Sequence, residues 1–195
     1  MAGPGGEEQK LTDASGVPLL VSHDDLHLYE ERIVVAGSRS YSNYDEFDFT
    51  IGMLLRKKKK ANCVLISGKA PRGADEMIIR WAKSHGWKYA EFPADWDRYD
   101  KAAGYIRNAE MKKVATMVIV FWDLVSKGTT NMYEISAKDR EIYTSLVIVQ
   151  PDYGYYEQKE KRYGWQQESS SGFDSDVHRQ DPSRIWKQAL LRAAL

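Results

Sequence analysis

The sequence contains one cysteine among its 195 residues, Cys63. It lies in the apolar run Cys63-Val64-Leu65-Ile66 without a partner, which excludes an internal disulfide and any zinc cluster built on cysteines. A reducing, cytoplasmic setting is expected. An excess of either charge is also missing. Lysine plus arginine and aspartate plus glutamate number 28 each, so no global basic field draws the chain to nucleic acid or to an anionic membrane. A nucleic-acid role needs a local patch, and nucleic acid is not the expected partner. No apolar run approaches the roughly 20 residues that cross a bilayer. The opening Met-Ala-Gly-Pro-Gly-Gly-Glu-Glu lacks the basic and apolar regions of a signal peptide. No repeat of solenoid or propeller length is present. The four histidines, His23, His27, His85 and His178, are scattered, and His85 beside Gly86 suits a helix C-terminus better than a catalytic base.

What is present is an alternation of short apolar runs and helical periodicities. Ile33-Val34-Val35-Ala36, ended by Gly37, reads as a strand buried on both faces. Phe47, Ile51, Leu54 and Leu55 recur at helical spacing, and the basic run over residues 56–60 is expected to close that helix at its negative dipole end. Cys63 to Ile66 form a second strand. A helix follows with Met77, Ile78 and Trp81 on one face and Gly86 as its stop. Further strands are expected near residues 88–92, 117–122 and 146–149, with helices over about 101–115 and 129–140. This order predicts an α/β fold, a three-layer Rossmann-like sandwich around a mainly parallel sheet of about five strands. Residues 1–30 read as an N-terminal extension that docks locally, 31–150 as the Rossmann-like domain, and 151–195 as a polar, tyrosine-rich tail. In that tail Ser183 caps a last short helix with Ile185, Trp186, Ala189 and Leu190 as an apolar stripe. The stripe is expected to dock on the core or on a second subunit.

Ligands of open parallel sheets sit beyond the carboxyl ends of the strands, and three such ends carry unusual loops. In Gly37-Ser38-Arg39-Ser40 the glycine permits close backbone approach, the hydroxyls suit phosphate or ribose, and Arg39 offers a planar fork of donors. In Ser67-Gly68-Lys69-Ala70-Pro71-Arg72-Gly73-Ala74-Asp75 the chain delivers Gly73 to a helix N-terminus, a place that favours anions. Its glycine spacing imitates a Walker A loop, but Ala74-Asp75 stand where lysine and a hydroxyl residue are required, which excludes a P-loop ATPase. Asp75 serves either the helix dipole or a ligand hydroxyl. The third loop, Trp122-Asp123-Leu124-Val125-Ser126-Lys127-Gly128-Thr129-Thr130, offers Gly128, Thr129 and Thr130, although either threonine could cap the helix there. Three such loops at neighbouring strand ends indicate a site. Asp95-Trp96-Asp97 invites a metal, but carboxylates flanking a tryptophan more often cap turns. Neither a metal nor another cofactor is expected. Trp81 and Trp87 suit the core, whereas Tyr99 and Trp122 are the stacking candidates at the ligand edge.

The order of Gly37-Ser38-Arg39, Ser67-Gly68, Arg72-Gly73-Ala74-Asp75, Phe92-Pro93-Ala94-Asp95-Trp96-Asp97-Arg98-Tyr99, Ile106-Arg107-Asn108 and Ser126-Lys127-Gly128-Thr129 resembles the SLOG superfamily. The nearest branch is that of small single-domain proteins related to YspA, and the likeness covers about residues 32–149. The resemblance implies a Rossmann-like fold that recognises nucleotides or nucleotide-derived molecules at the strand ends. Relatives of the LOG type cleave the N-glycosidic bond of nucleoside monophosphates, and the Smf/DprA branch binds single-stranded DNA. The LOG pattern pairs an arginine in Arg-Lys-x-x-Met with a glutamate three residues after Gly-Thr. This chain keeps the arginine in Arg107-Asn108-Ala109-Glu110-Met111, but Met132 occupies the glutamate's place.

A carboxylate beside the ribose stabilises the positive charge of glycosidic cleavage, and methionine does not. Glu134, two residues on, lies about 200° around the helix. The expected function is therefore capture of a nucleotide-derived small molecule, as a sensor or as a sponge in phage–host signalling, the latter suggested by the superfamily alone. The expected ligand residues are Gly37, Ser38, Arg39, Ser67, Gly68, Arg72, Gly73, Asp75, Arg107, Asn108, Gly128, Thr129 and Thr130. An N-glycosidase using Arg107 is the alternative, and single-stranded DNA binding the third reading. Self-association as a dimer or larger assembly is expected from the C-terminal stripe and the resemblance.

Overall fold

The computed structural model describes residues 11–152 together with Gly154 and Tyr155. The chain divides into two units after Asp152, and the first carries the sheet. The helix expected around Ser183 to Leu190 lies outside the described residues.

Five strands form one sheet: β1 (Glu31–Gly37), β2 (Cys63–Ser67), β3 (Lys88–Glu91), β4 (Met117–Trp122) and β5 (Tyr143–Ile148). Their order is β3-β2-β1-β4-β5, and every pairing is parallel. The fold is thus the α/β Rossmann-like architecture read from the alternation of elements. Successive side chains of a strand point to opposite faces, and the apolar runs of β1, β2 and β4 bury both. Ile33, Val35, Leu65, Ile119 and Phe121 share one core with Phe47, Ile51, Met77, Ile78 and Trp81. Val34, Ala36, Val64, Ile66, Val118 and Val120 share the opposite core with Met111 and Met132. The first core receives helices α1 (Tyr44–Leu55) and α2 (Ala74–His85). The second receives α4 (Ala103–Val114) and α5 (Lys127–Ala137), with a short helix α3 (Trp96–Tyr99) after β3. The chain leaves β3 at one edge and crosses to β4 on the far side of β1, so strand order reverses between β1 and β4. In open α/β sheets that reversal opens a crevice at the carboxyl ends.

Several local expectations need correction. The basic run does not close α1, which ends at Leu55 with no basic residue in its last turn. Its lysines find separate partners instead. Lys58 pairs with Glu31 at 2.6 Å, and Lys60 donates to the His85 carbonyl at 2.6 Å, covering an acceptor that the end of α2 leaves open. Neither Thr129 nor Thr130 occupies the N-cap of α5. That position belongs to Ser126, and the helix begins two residues earlier than expected. The segment expected as one helix over 101–115 opens instead with a 3-10 turn, Asp100–Ala102, followed by α4. β5 begins at Tyr143, ahead of its apolar residues.

The segment before β1 covers the edge of the sheet. The Val21 amide donates to the Tyr89 carbonyl at 2.8 Å and the Tyr89 amide to the Leu19 carbonyl at 2.9 Å, while Leu19, Val21 and Leu26 are buried. An edge strand so covered offers β3 less readily to another chain. Among the described residues, no helix is long and apolar enough to cross a membrane.

Candidate functional site

The ends of β1, β2 and β4 converge with the first turns of α2 and α5, and α4 supplies Arg107 and Asn108. Beneath this surface lies a buried polar network. The Ser38 hydroxyl donates to Thr129 Oγ1 at 3.3 Å and accepts from the Asp123 amide at 3.1 Å. Thr129 in turn donates to Ser126 Oγ at 3.1 Å. Ser40 donates to Asp123 Oδ2 at 2.5 Å, and Asp123 Oδ1 accepts the amides of Val125 at 3.0 Å and Ser126 at 2.8 Å. Ser38, Ser40 and Asp123 are fully or almost fully buried, and Thr129 is nearly so. The hydroxyls of Ser38 and Thr129 therefore bond each other across the β1–β4 reversal, and the whole network holds the loop after β4 onto the loop after β1. Asp123 was not singled out by sequence, although an Asp two and three residues ahead of those amides is the local pattern of a turn that bonds its own backbone.

A second cluster sits at the start of α2. Asp75, 3% exposed, places Oδ2 3.2 Å from Arg107 Nη1 and accepts the Ala70 amide at 3.4 Å. Arg107 Nη1 also donates to the Gly68 carbonyl. Ser67 Oγ donates to the Asp75 carbonyl at 2.7 Å, closing the loop on itself. A side chain at Gly68 would overlap the Arg107 guanidinium, so the glycine makes room for it. Gly73 adopts φ 76° and ψ −158°, a region that is essentially glycine's alone. There its Cα faces the Ser38–Arg39 backbone, and a Cβ would stand 2.9 Å from the Arg39 Cα. Gly37 is tight for another reason. A Cβ there would meet the Ala74 methyl at 2.8 Å, so this glycine seats α2 against β1. Burial pushes the Asp75 carboxyl above the usual range, opposed by the Arg107 guanidinium and by amide donors.

Of the remaining predicted residues, Asn108 is buried and donates to the Gly128 carbonyl at 3.0 Å and to Asn131 Oδ1 at 3.1 Å. Thr130 donates to the Ser126 carbonyl at 3.0 Å. Arg39 and Arg72 are exposed, as is Gly128. The buried Nε of Arg107 has no hydrogen-bond partner among the described residues. Trp122 is not an open stacking surface, because its ring stacks on Tyr133 with centroids 5.9 Å apart. Trp96 is the open indole instead, 49% exposed, with Arg39 Cζ 5.6 Å from its ring centroid. Asp95, beside it, caps α3 by accepting the Arg98 amide at 3.0 Å. Among the described residues, no three His, Cys, Asp or Glu side chains are grouped so as to hold a metal.

The YspA, cpYpsA-related SLOG family matches residues 31–99. The matched segment contains β1 to β3, the glycine loops after β1 and β2, Asp75 and Trp96, while Arg107, the Gly128 loop and α5 lie beyond it. Among solved structures, the DNA processing protein A of Streptococcus pneumoniae is similar at 17% identity and a TM-score of 0.48, over 69% of this chain and 63% of that one. The Helicobacter pylori DNA processing protein A, described for its single-stranded DNA binding mode, is similar at 15% identity and a TM-score of 0.45, over 88% and 85%. The chain thus spans 63% of the length of the Streptococcus protein. No curated protein matches it.

Proposed function

We propose that this chain binds a nucleotide or nucleotide-derived small molecule at the carboxyl ends of its strands and releases it intact. The observation that carries the reading is the buried Arg107 Nε, which has no hydrogen-bond partner among the described residues. A buried donor left without an acceptor costs roughly 1–3 kcal/mol, a cost removed when a ligand oxygen meets it. Around it the chemistry is anionic-ligand chemistry. Arg39 and Arg72 project from loops that flank the N-terminus of α2, where backbone amides and the helix dipole favour phosphate. In this reading Gly68, Gly73, Gly128 and Thr130 border the ligand. Ser38, Ser67, Asp75, Asn108 and Thr129 hold the loops from beneath through the bonds described above, and Gly37 seats α2.

Hydrolysis is disfavoured on chemical grounds. Met132 is fully buried in the core between the sheet and its helices, so the position corresponding to the LOG glutamate faces packing. Asp75 is engaged by Arg107 and the Ala70 amide, which leaves it a poor partner for a developing oxocarbenium ion. Incubation of the full chain with mono-, di- and cyclic nucleotides, NAD and ADP-ribose, followed by mass spectrometry of bound and free fractions, tests the reading. Retention of one compound unchanged supports capture, loss of a base or sugar makes the chain an N-glycosidase, and retention of none overturns both.

Single-stranded DNA is the second reading, favoured by the exposure of Trp96, Tyr99 and Tyr105 together with Arg98 over the Tyr99 ring at 5.0 Å. Binding of an oligonucleotide that weakens steeply with added salt identifies it.

A further inference from the structure

Trp96 opens α3 with half of its surface exposed, and neighbours from three elements place it. The Asp95 cap fixes the turn from which it projects. Its Cη2 stands 3.5 Å from where a Cβ on Gly104 would lie, so its outer edge rests over the start of α4. Gly104 and Arg107 are three residues apart, hence on one face of α4 and about 4.5 Å apart along its axis. From the β1 loop, Arg39 brings its guanidinium carbon 5.6 Å from the indole centroid, and its Cα lies beside Gly73 at the start of α2. One open aromatic surface therefore lies against Arg39 and over the face of α4 that also carries Arg107, one turn on.

We propose that Trp96 is the base-binding residue of this site, stacking the nucleobase of the ligand while Arg39 turns its fork to the adjoining phosphate. This assignment rests on the nucleotide reading above. An indole face stacks any planar base, because every base presents a π-surface, so Trp96 selects for the presence of a base and leaves its identity to other contacts. Arg39 suits the second task because a guanidinium can leave a ring face and form paired hydrogen bonds to phosphate oxygens.

The test uses AMP, ADP-ribose and ribose 5-phosphate as probes, titrated calorimetrically into the full wild-type chain and into Trp96→Ala and Trp96→Phe. Loss of one stacked base is expected to weaken AMP and ADP-ribose binding by roughly 5- to 150-fold in Trp96→Ala. Ribose 5-phosphate affinity should change less than about twofold, and Trp96→Phe should restore most of the loss. Because the side chain is half exposed, an unchanged unfolding midpoint is expected for both variants, which separates stacking from folding. Equal affinity of wild type and Trp96→Ala for the base-bearing probes overturns the stacking role alone, as does an equal loss for ribose 5-phosphate. A wild-type chain that binds no probe overturns the nucleotide reading and the stacking role with it.

Discussion

At the scale of single residues, Asp75 and Arg107 are the most exacting pair. Removing one partner of a buried ion pair leaves an uncompensated charge, so Asp75→Ala is expected to lower unfolding free energy by about 3–5 kcal/mol in urea titrations. The conservative Asp75→Asn isolates the proton. Burial raises the folded-state pKa of Asp75 above the ordinary value of 3.8 for an aspartate despite Arg107. Between the unfolded and the folded pKa the native state therefore binds more protons than the unfolded one, and stability falls with rising pH. The stability difference between wild type and Asp75→Asn should accordingly shift against wild type as pH climbs from below 3.8, then flatten above the folded pKa; an opposite slope means that Arg107 outweighs burial. Gly73 gives a backbone prediction of the same rank. At φ 76° and ψ −158°, with Ser38 and Arg39 facing its Cα, Gly73→Ala is expected to cost at least about 1–3 kcal/mol and to weaken any ligand bound beside α2.

At the scale of elements, two glycines play opposite roles, one inside a helix and one at a helix end. Gly52 lies inside α1 with nothing within 4 Å of an added Cβ, so Gly52→Ala should stabilise by roughly 0.5–1 kcal/mol. Gly86 terminates α2 at φ 63° and ψ 33°, where a side chain costs about 1–2 kcal/mol. Thermal unfolding of the two variants should therefore move in opposite directions. Gly86 was legible in sequence because it follows an amphipathic run, and β1, β2 and β4 were legible because their apolar residues are contiguous. β5 was half hidden. Tyr143, Thr144 and Ser145 carry no apolar pattern, and their strand conformation comes from pairing with Met117, Val118 and Ile119 of β4. The place of the glycine- and arginine-bearing loops after β1 and β2 could be read from the apolar runs that precede them. The Ser38–Thr129 bond could not, since it spans 91 residues and arises only when β4 lands beside β1. The same long-range packing took Trp122, one of the two expected stacking residues, onto Tyr133, while Tyr99 and Trp96 stay exposed.

At the scale of the whole molecule, the sheet links a covered edge to the carboxyl ends of the strands. The segment around Leu19 pairs with Tyr89 of β3, and His23 stacks on Phe92 with centroids 4.0 Å apart while its Nε2 lies 2.8 Å from the Glu91 carbonyl. The Glu91 side chain pairs with Lys69 at 2.5 Å, inside the loop that carries Gly68 and Gly73. A route of packed contacts thus runs from the N-terminal segment through β3 to the loop between β2 and α2. Leu19 is 2% exposed, so Leu19→Ala is expected to cost about 2–5 kcal/mol. Its signature should be regional as well as global. Hydrogen exchange at the amides of Val21 and Tyr89 should accelerate first, since both bond across this edge, followed by the amides of the 67–73 loop. Acceleration confined to residues before β1 would show that the edge cover and the ligand loop open independently, and that β3 transmits nothing between them.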